Sequence, residues 1–230
     1  MAVVQIKICG MRRAEEVEVA VEAGADLLGF NFWPGTSRYI PPEDAAPLIR
    51  AVPSHVSTVG VFVDETPERV LEIAAQTGVS ALQFHGSETP EYFDRLGSWR
   101  KIKAFKVRND FEPAELRRYA SAYAFLLDGW VAGGLPGGTG RVFDWSHAER
   151  AKAYGKIILA GGLNAKNVGE AIRKVEPWGV DVCSGVEIAP GRKTPELIRE
   201  FIRAAREAEQ QLVSSRLESS TPGRQKQPQS

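Results

Sequence analysis

The chain has little of what most directly announces chemistry: of 230 residues, two are cysteine (Cys9 and Cys183), three are histidine and two are methionine. Two thiols far apart in sequence make no disulfide scaffold, and without a CxxC pair or a His-rich spacing no metal cage is expected. An excess of charge of one sign is also missing, because 29 Lys and Arg balance 29 Asp and Glu. Such a chain sets up no field to gather a phosphate backbone or an anionic bilayer, so neither nucleic acid nor membrane is an expected partner. No stretch approaches the roughly 18 apolar residues of a bilayer span, and the opening MAVVQIKICG lacks the blocks of a signal peptide. The expected setting is cytoplasmic.

What is present is glycine, 22 residues, within a chain that is 43% apolar and able to bury a sizeable core. Short apolar or β-branched runs alternate with helical stretches from end to end. The runs are VQIKIC from Val4, LLGFNF from Leu27, STVGVFV from Ser57, ALQFHG from Ala81, KIKAFKV from Lys101, AFLLDG from Ala124, KIILAGG from Lys156 and GVDVCSG from Gly179. Helix-entry signals follow several of them: Thr66 with Pro67, Thr89 with Pro90, Asn164, and Thr194 with Pro195. In the last helical stretch Leu197, Ile198, Phe201, Ile202 and Ala205 form one apolar stripe, opposite Glu196, Arg199, Glu200 and Arg203. Eight strands, each followed by a helix, predict an α/β fold of the (β/α)8 TIM-barrel type, a single domain over residues 1–212. Residues 213–230, poor in apolar groups and rich in Ser, Pro and Gln, read as a disordered polar tail.

A barrel of this type carries its chemistry at the carboxyl ends of its strands. Side chains alternate between the interior and the helix layer, so Lys7 and Cys9, Gln83 and His85, Asp128, and Asp181 and Cys183 are expected to point inward. Taken alone, Cys9 is either a small buried hydrophobe or, at the end of the first strand, a base that shares the mouth with Asp128; Asp128 is either a loop carboxylate or the matching acid. AGGL at Ala160–Leu163 and CSG at Cys183–Gly185 end the seventh and eighth strands with bare backbone, which serves either tight turns or a phosphate cradle. GGLPGGTG at Gly133–Gly140 reads as a flap over the site. Lys7 either lowers the Cys9 pKa or pairs with Asp181 across the seam of the barrel, and His85 is expected in a structural hydrogen bond.

Taken together and in order, KICG, GFNFWPGTSRY, VGVFV, LQFHG, LLD with GGTG and FDW, AGGL and SGVE resemble the phosphoribosylanthranilate isomerases of tryptophan biosynthesis, over about residues 4 to 205. The resemblance implies an Amadori rearrangement of N-(5-phosphoribosyl)anthranilate, with no cofactor and a small phosphorylated substrate as the partner. It implies Cys9 as general base, Asp128 as general acid, Arg38 of TSRY at the anthranilate carboxylate, and Gly161, Gly162, Ser184 and Gly185 around the phosphate. Such an acid needs a dry surrounding, for which Trp130 and Phe105 are the candidates. Cys183 stands where that family more often carries serine, and neighbouring first and eighth strands bring it within disulfide reach of Cys9. Three rival readings exist: a sister barrel acting on an aminoimidazole-carboxamide ribonucleotide, which uses two aspartates, a Schiff-base lyase using Lys103, and a non-catalytic phosphate-ligand sensor. Monomer and homodimer both remain open.

Overall fold

The computed structural model describes residues 3–108, 110–129 and 145–219. Each of the eight apolar runs contains a strand: β1 (Gln5–Cys9), β2 (Leu27–Asn31), β3 (Ser57–Phe62), β4 (Ala81–Phe84), β5 (Lys101–Val107), β6 (Ala124–Gly129), β7 (Ile157–Ala160) and β8 (Gly179–Val182). They pair in parallel in chain order, and β8 closes on β1 from Gln5↔Gly179 to Ile8↔Val182. The result is the predicted (β/α)8 barrel.

Two apolar layers follow from the alternation of side chains along these strands. Ile6, Ile8, Phe30, Leu82, Phe84, Leu127, Val180 and Val182 belong to the larger layer, between sheet and helices. Leu27, Val59, Ala81, Ile102, Ala104, Ala124, Leu126, Ile158 and Ala160 fill the barrel itself. The parity expected from sequence therefore holds, and the interior positions above that small core go to Lys7, Cys9, Gln83, Asp128, Asp181 and Cys183. Phe105 and Lys103 have the opposite parity to Ile102 and Ala104. Phe105 packs on Phe111, Tyr119 and Phe125 in the outer layer, so it is no cover for Asp128. Trp130 lies outside the described residues, as does the expected Gly133–Gly140 flap.

The helices are α1 (Ala14–Ala23), α2 (Pro42–Arg50), α3 (Pro67–Thr77), α4 (Pro90–Asp94), α5 (Ser146–Ala151), α6 (Val168–Val175) and α7 (Pro195–Ser219). Thr66, Thr89 and Thr194 cap as expected, their hydroxyls accepting from the amides of Arg69, Tyr92 and Leu197. Asn164 does not open a helix. It makes a turn with Asn167, and both side-chain amides donate to the Gly162 carbonyl, at 3.3 and 3.0 Å. After β5 the connection is a 3-10 helix, Pro113–Tyr119, rather than an α-helix. Its buried side chains Pro113 and Leu116, with Tyr119, recur at every third residue, the spacing that a three-residue turn stacks on one side.

Two features were not expected. After β8 the chain forms a hairpin of β9 (Glu187–Ala189) and β10 (Arg192–Lys193), an antiparallel pair outside the barrel. The disordered tail expected from residue 213 instead begins as helix, because α7 runs on to Ser219. Leu212 packs on the core, Arg173 donates to Gln211 at 3.2 Å, and Arg216 pairs with Glu176. These contacts extend a helix that is already nucleated, and propagation is inexpensive. Residues 220–230 lie outside the described part.

Candidate active site

The carboxyl end of the barrel gathers ionisable groups from both sides of the β1–β8 seam. Lys7 Nζ donates to Asp181 Oδ1 at 2.7 Å, with both side chains almost wholly buried. Burial works against the Lys7 ammonium, but the Asp181 carboxylate and the Cys9 sulfur beside it outweigh that penalty and hold Lys7 protonated, above its ordinary range. Asp181 is pushed up to about 6 by burial, against the pull of Lys7. Both readings of Lys7 thus hold at once: it pairs with Asp181 and it serves Cys9. Gly29 of β2 makes the room, since it stands opposite Cys9 and a Cβ there would come within 2.9 Å of Cys9 Sγ and 3.1 Å of Lys7 Nζ.

The Cys9 thiol lies well below the ordinary thiol range. The neighbouring Cys183 thiol contributes most, burial opposes it, and the charges of Lys7 and Lys193 add to it. Cys183 is driven the other way by Cys9 beside it and by burial. Its Sγ lies 3.6 Å from Glu187 Oε1, a carboxylate that further disfavours a negative sulfur there. Cys9 is therefore the more readily ionised thiol of the pair.

Arg38, in the loop after β2, forks onto Glu187: Nε donates to Oε1 at 3.1 Å and Nη2 to Oε2 at 2.7 Å. Lys193 Nζ donates to the same carboxylate at 3.0 Å. Burial alone would raise the Glu187 pKa, but the bonds from Arg38 and Lys193 bring it below the usual carboxylate range. The guanidinium expected to meet a substrate carboxylate is thus already shaped around a carboxylate, that of Glu187.

On the far wall, His85 Nε2 lies 3.2 Å from Asp128 Oδ2, the structural hydrogen bond expected of that histidine. The end of β7 packs directly against this carboxylate. Gly161 has φ +82°, and a Cβ there would strike the backbone of Gly129 and come within 2.7 Å of Asp128 Oδ1. Gly185 backs onto the Leu163 carbonyl, so the loops after β7 and β8 touch. Gly161 thus stands beside Asp128, and the contact of Gly185 with Leu163 joins the loop that holds Gly161 and Gly162 to the loop that holds Ser184 and Gly185. Asp181 feels the charges of both Cys9 and Asp128, which puts the two walls in one electrostatic neighbourhood.

Sequence reading missed Glu187, Lys193 and Gly29. Glu187 and Lys193 are brought together only by the β9–β10 hairpin, although the SGVE string holds Glu187. Lys103 faces the outer layer, where its Nζ donates to Glu88 Oε2 at 2.9 Å and to the Gly86 carbonyl at 2.7 Å; it is a structural cation away from the mouth. A separate pocket of about 730 Å³, lined by Ser57, Ser80, Trp99 and Arg100 among others, sits at the amino-terminal ends of β3 to β5 and contains none of these groups. Among the described residues no helix is long and apolar enough to cross a membrane.

A closed parallel barrel with a thiol, a carboxylate and glycine-bearing loops at the carboxyl ends of its strands has the architecture of a (β/α)8-barrel enzyme. Within that class, residues 6–204 match the family model of N-(5'-phosphoribosyl)anthranilate isomerase, and the chain belongs to that family. It is 50% identical over 204 residues to the N-(5'-phosphoribosyl)anthranilate isomerase of Desulforudis audaxviator, covering 88% of this chain and 98% of the relative. The corresponding protein of Pelobacter propionicus is 45% identical over 204 residues, covering 89% of this chain and 96% of that one. Among solved structures, the Thermotoga maritima phosphoribosyl anthranilate isomerase superposes with a TM-score of 0.83 at 39% identity, covering 89% of this chain and all (100%) of that one. A phosphoribosyl anthranilate isomerase in complex with reduced 1-(o-carboxyphenylamino)-1-deoxyribulose 5-phosphate matches with a TM-score of 0.80 at 38% identity, covering 89% and 100%.

Proposed function

We propose that the chain isomerises N-(5-phosphoribosyl)anthranilate to 1-(2-carboxyphenylamino)-1-deoxyribulose 5-phosphate in tryptophan biosynthesis, with Cys9 as general base and Asp128 as general acid. The expected compartment is the cytoplasm. The observation that supports the assignment of roles is the placement of the two groups on facing walls of one mouth. Lys7, Lys193 and Cys183 favour ionisation of Cys9, and Asp128 stands opposite, beside Gly161 and 3.2 Å from His85 Nε2.

The chemistry moves only protons, so residues of these two kinds suffice. Asp128 delivers a proton to the ring oxygen of the furanose as the bond from that oxygen to the first carbon breaks. The nitrogen lone pair then forms a protonated Schiff base with the first carbon. That cation acidifies the proton on the second carbon, and the Cys9 thiolate removes it, the released electron pair neutralising the cation to give an aminoenol. Gain of a proton at the first carbon and loss of one from the second hydroxyl yield the ketose, an isomer of the starting compound. Cys9 ends as a thiol and Asp128 as a carboxylate; returning one proton between them and solvent resets the site.

Arg38 meets the anthranilate carboxylate through Nη1, the nitrogen that Glu187 leaves over, and the amides of Gly161, Gly162, Ser184 and Gly185 surround the phosphate. The reaction is followed by loss of substrate fluorescence. Cys9→Ala and Asp128→Asn should each lower kcat by about 10² to 10⁴-fold with little change in KM, as for loss of a general base or acid. Near-normal kcat in either variant removes that residue from its role, and an absence of turnover in the unaltered chain overturns the assignment.

A further inference from the structure

We infer that Cys9 and Cys183 constitute a hydroperoxide-modifiable dithiol, converted by a peroxide into a reversible intramolecular disulfide across the β1–β8 seam. The inference rests on the proposed base role of Cys9 only for its consequence, the loss of turnover; the cross-link stands on geometry.

The ladder that closes the barrel runs up to Ile8↔Val182, so Cys9 and Cys183 are the next residues along two parallel neighbours. Adjacent strands lie about 4.7–4.9 Å apart, inside the roughly 4.4–6.8 Å that a disulfide requires between Cα atoms. Cys9 takes the interior parity, and Cys183 directly follows Val182, the last residue of β8, whose partner on β1 is Ile8. Cys183 Sγ also reaches over the end of β1, where it would stand 3.3 Å from a Cβ at Gly10. The two thiols thus follow directly on paired residues of neighbouring strands.

The surroundings divide the labour between them. Cys9, beside Lys7 and Lys193, is the more readily ionised sulfur and hence the nucleophile toward peroxide. Its thiolate attacks one peroxide oxygen, the O–O bond breaks, and hydroxide (or alkoxide) leaves, giving a sulfenic acid in which the sulfur has been oxidised and the peroxide reduced. Cys183 is the protonated partner, and its proton passes to the departing hydroxyl. The freed sulfur attacks the sulfenic sulfur and the S–O bond breaks. The hydroxyl departs as water with that proton, leaving one S–S bond. A thiol reductant reverses the process at the cost of its own oxidation. In the proposed isomerisation Cys183 is neither acid nor base and acts only on the ionisation of Cys9.

The test treats the full chain with a small excess of hydrogen peroxide at neutral pH, then alkylates, digests and maps by mass. The expected result is a loss of two hydrogens, a linked Cys9–Cys183 peptide pair, a fall in turnover of roughly tenfold or more, and recovery with dithiothreitol. In Cys183→Ser the same treatment should give no linked peptide and carry a larger share of Cys9 on to the sulfinic acid, so that dithiothreitol restores less turnover than in the unaltered chain. The inference is overturned if both thiols remain alkylatable after peroxide, if Cys9 gains oxygen without a linked peptide, or if Cys183→Ser recovers as fully as the unaltered chain. Complete cross-linking with undiminished turnover supports the dithiol and defeats the reading of Cys9 as the base.

Discussion

Lys7 is an ammonium in the middle of a barrel, and its cost there is met by two neighbours at once, Asp181 at 2.7 Å and the Cys9 sulfur. Replacing it separates the two functions. Lys7→Met leaves a buried carboxylate unpaired and should cost about 3–5 kcal/mol, whereas Lys7→Met with Asp181→Leu should regain most of that loss. Reactivity should not return with stability. Because Lys7 is among the groups that lower the Cys9 pKa, its removal raises that value. With Cys9 as the proposed base acting as its thiolate, the acid limb of kcat/KM should move to higher pH in both variants, and alkylation of Cys9 by iodoacetamide at neutral pH should slow. An unmoved limb would mean that Lys7 is structural only. At this scale the sequence was most legible where parity decides: Lys7, Cys9, Asp128, Asp181 and Cys183 follow from which neighbours are apolar. It was least legible for Glu187, whose partners Arg38 and Lys193 are reached through one long-range contact and one hairpin.

The strands were readable because each is a short apolar run with a period of two, and the three threonine-capped helices because the cap precedes proline. Connecting elements were harder to read, since they depend on what they pack against. The 3-10 helix after β5 and the Asn164–Asn167 turn both occupy places where helix-entry residues also suit an α-helix. The β9–β10 hairpin has only two residues in its second strand, too few for a periodic signal. That hairpin nonetheless sets the direction of Arg38. Glu187→Gln would exchange a bidentate charged acceptor for a neutral one and leave the buried Lys193 without its carboxylate. KM should rise about tenfold, equivalent to about 1.4 kcal/mol, with kcat changed far less. An unchanged KM would show that Arg38 orients itself without the hairpin. The pH dependence has a definite sign. Since the Glu187 pKa is lowered by folding, its contribution to stability is fully present above the ordinary carboxylate range, and it is lost as pH falls through the lower folded value.

A closed barrel depends on its seam, where the first and last elements of the chain must find each other, and here α7 ties the opposite end of that seam from the chemistry. Arg206 donates from Nη1 to the Val4 carbonyl at 2.8 Å, and from Nη2 to the Gly24 carbonyl at 2.9 Å and to Asp26 Oδ2 at 2.7 Å. Glu209 accepts from the Val4 amide at 2.6 Å, and Asp26 from the Ile6 amide at 2.7 Å. One turn of one helix thus satisfies the entry of β1 and the approach to β2, while Ala205 and Ala208 on the same turn are buried in the core. Beyond Leu212, Arg216 pairs with Glu176, both side chains partly exposed. A chain ending at Leu212 should therefore keep its turnover and melt within a few degrees of the full chain. Arg206→Ala should lower stability by about 1–3 kcal/mol, discounted because its partners are partly solvated, or roughly 2–4 °C in Tm per kcal/mol for a chain of this size. A chain ending at Ala204 loses the whole turn and should melt lower still, and thermal melts of the three variants establish the order. If Arg206→Ala melts with the full chain, the seam is held by β1–β8 pairing and apolar packing alone, and the polar staple contributes nothing to closure.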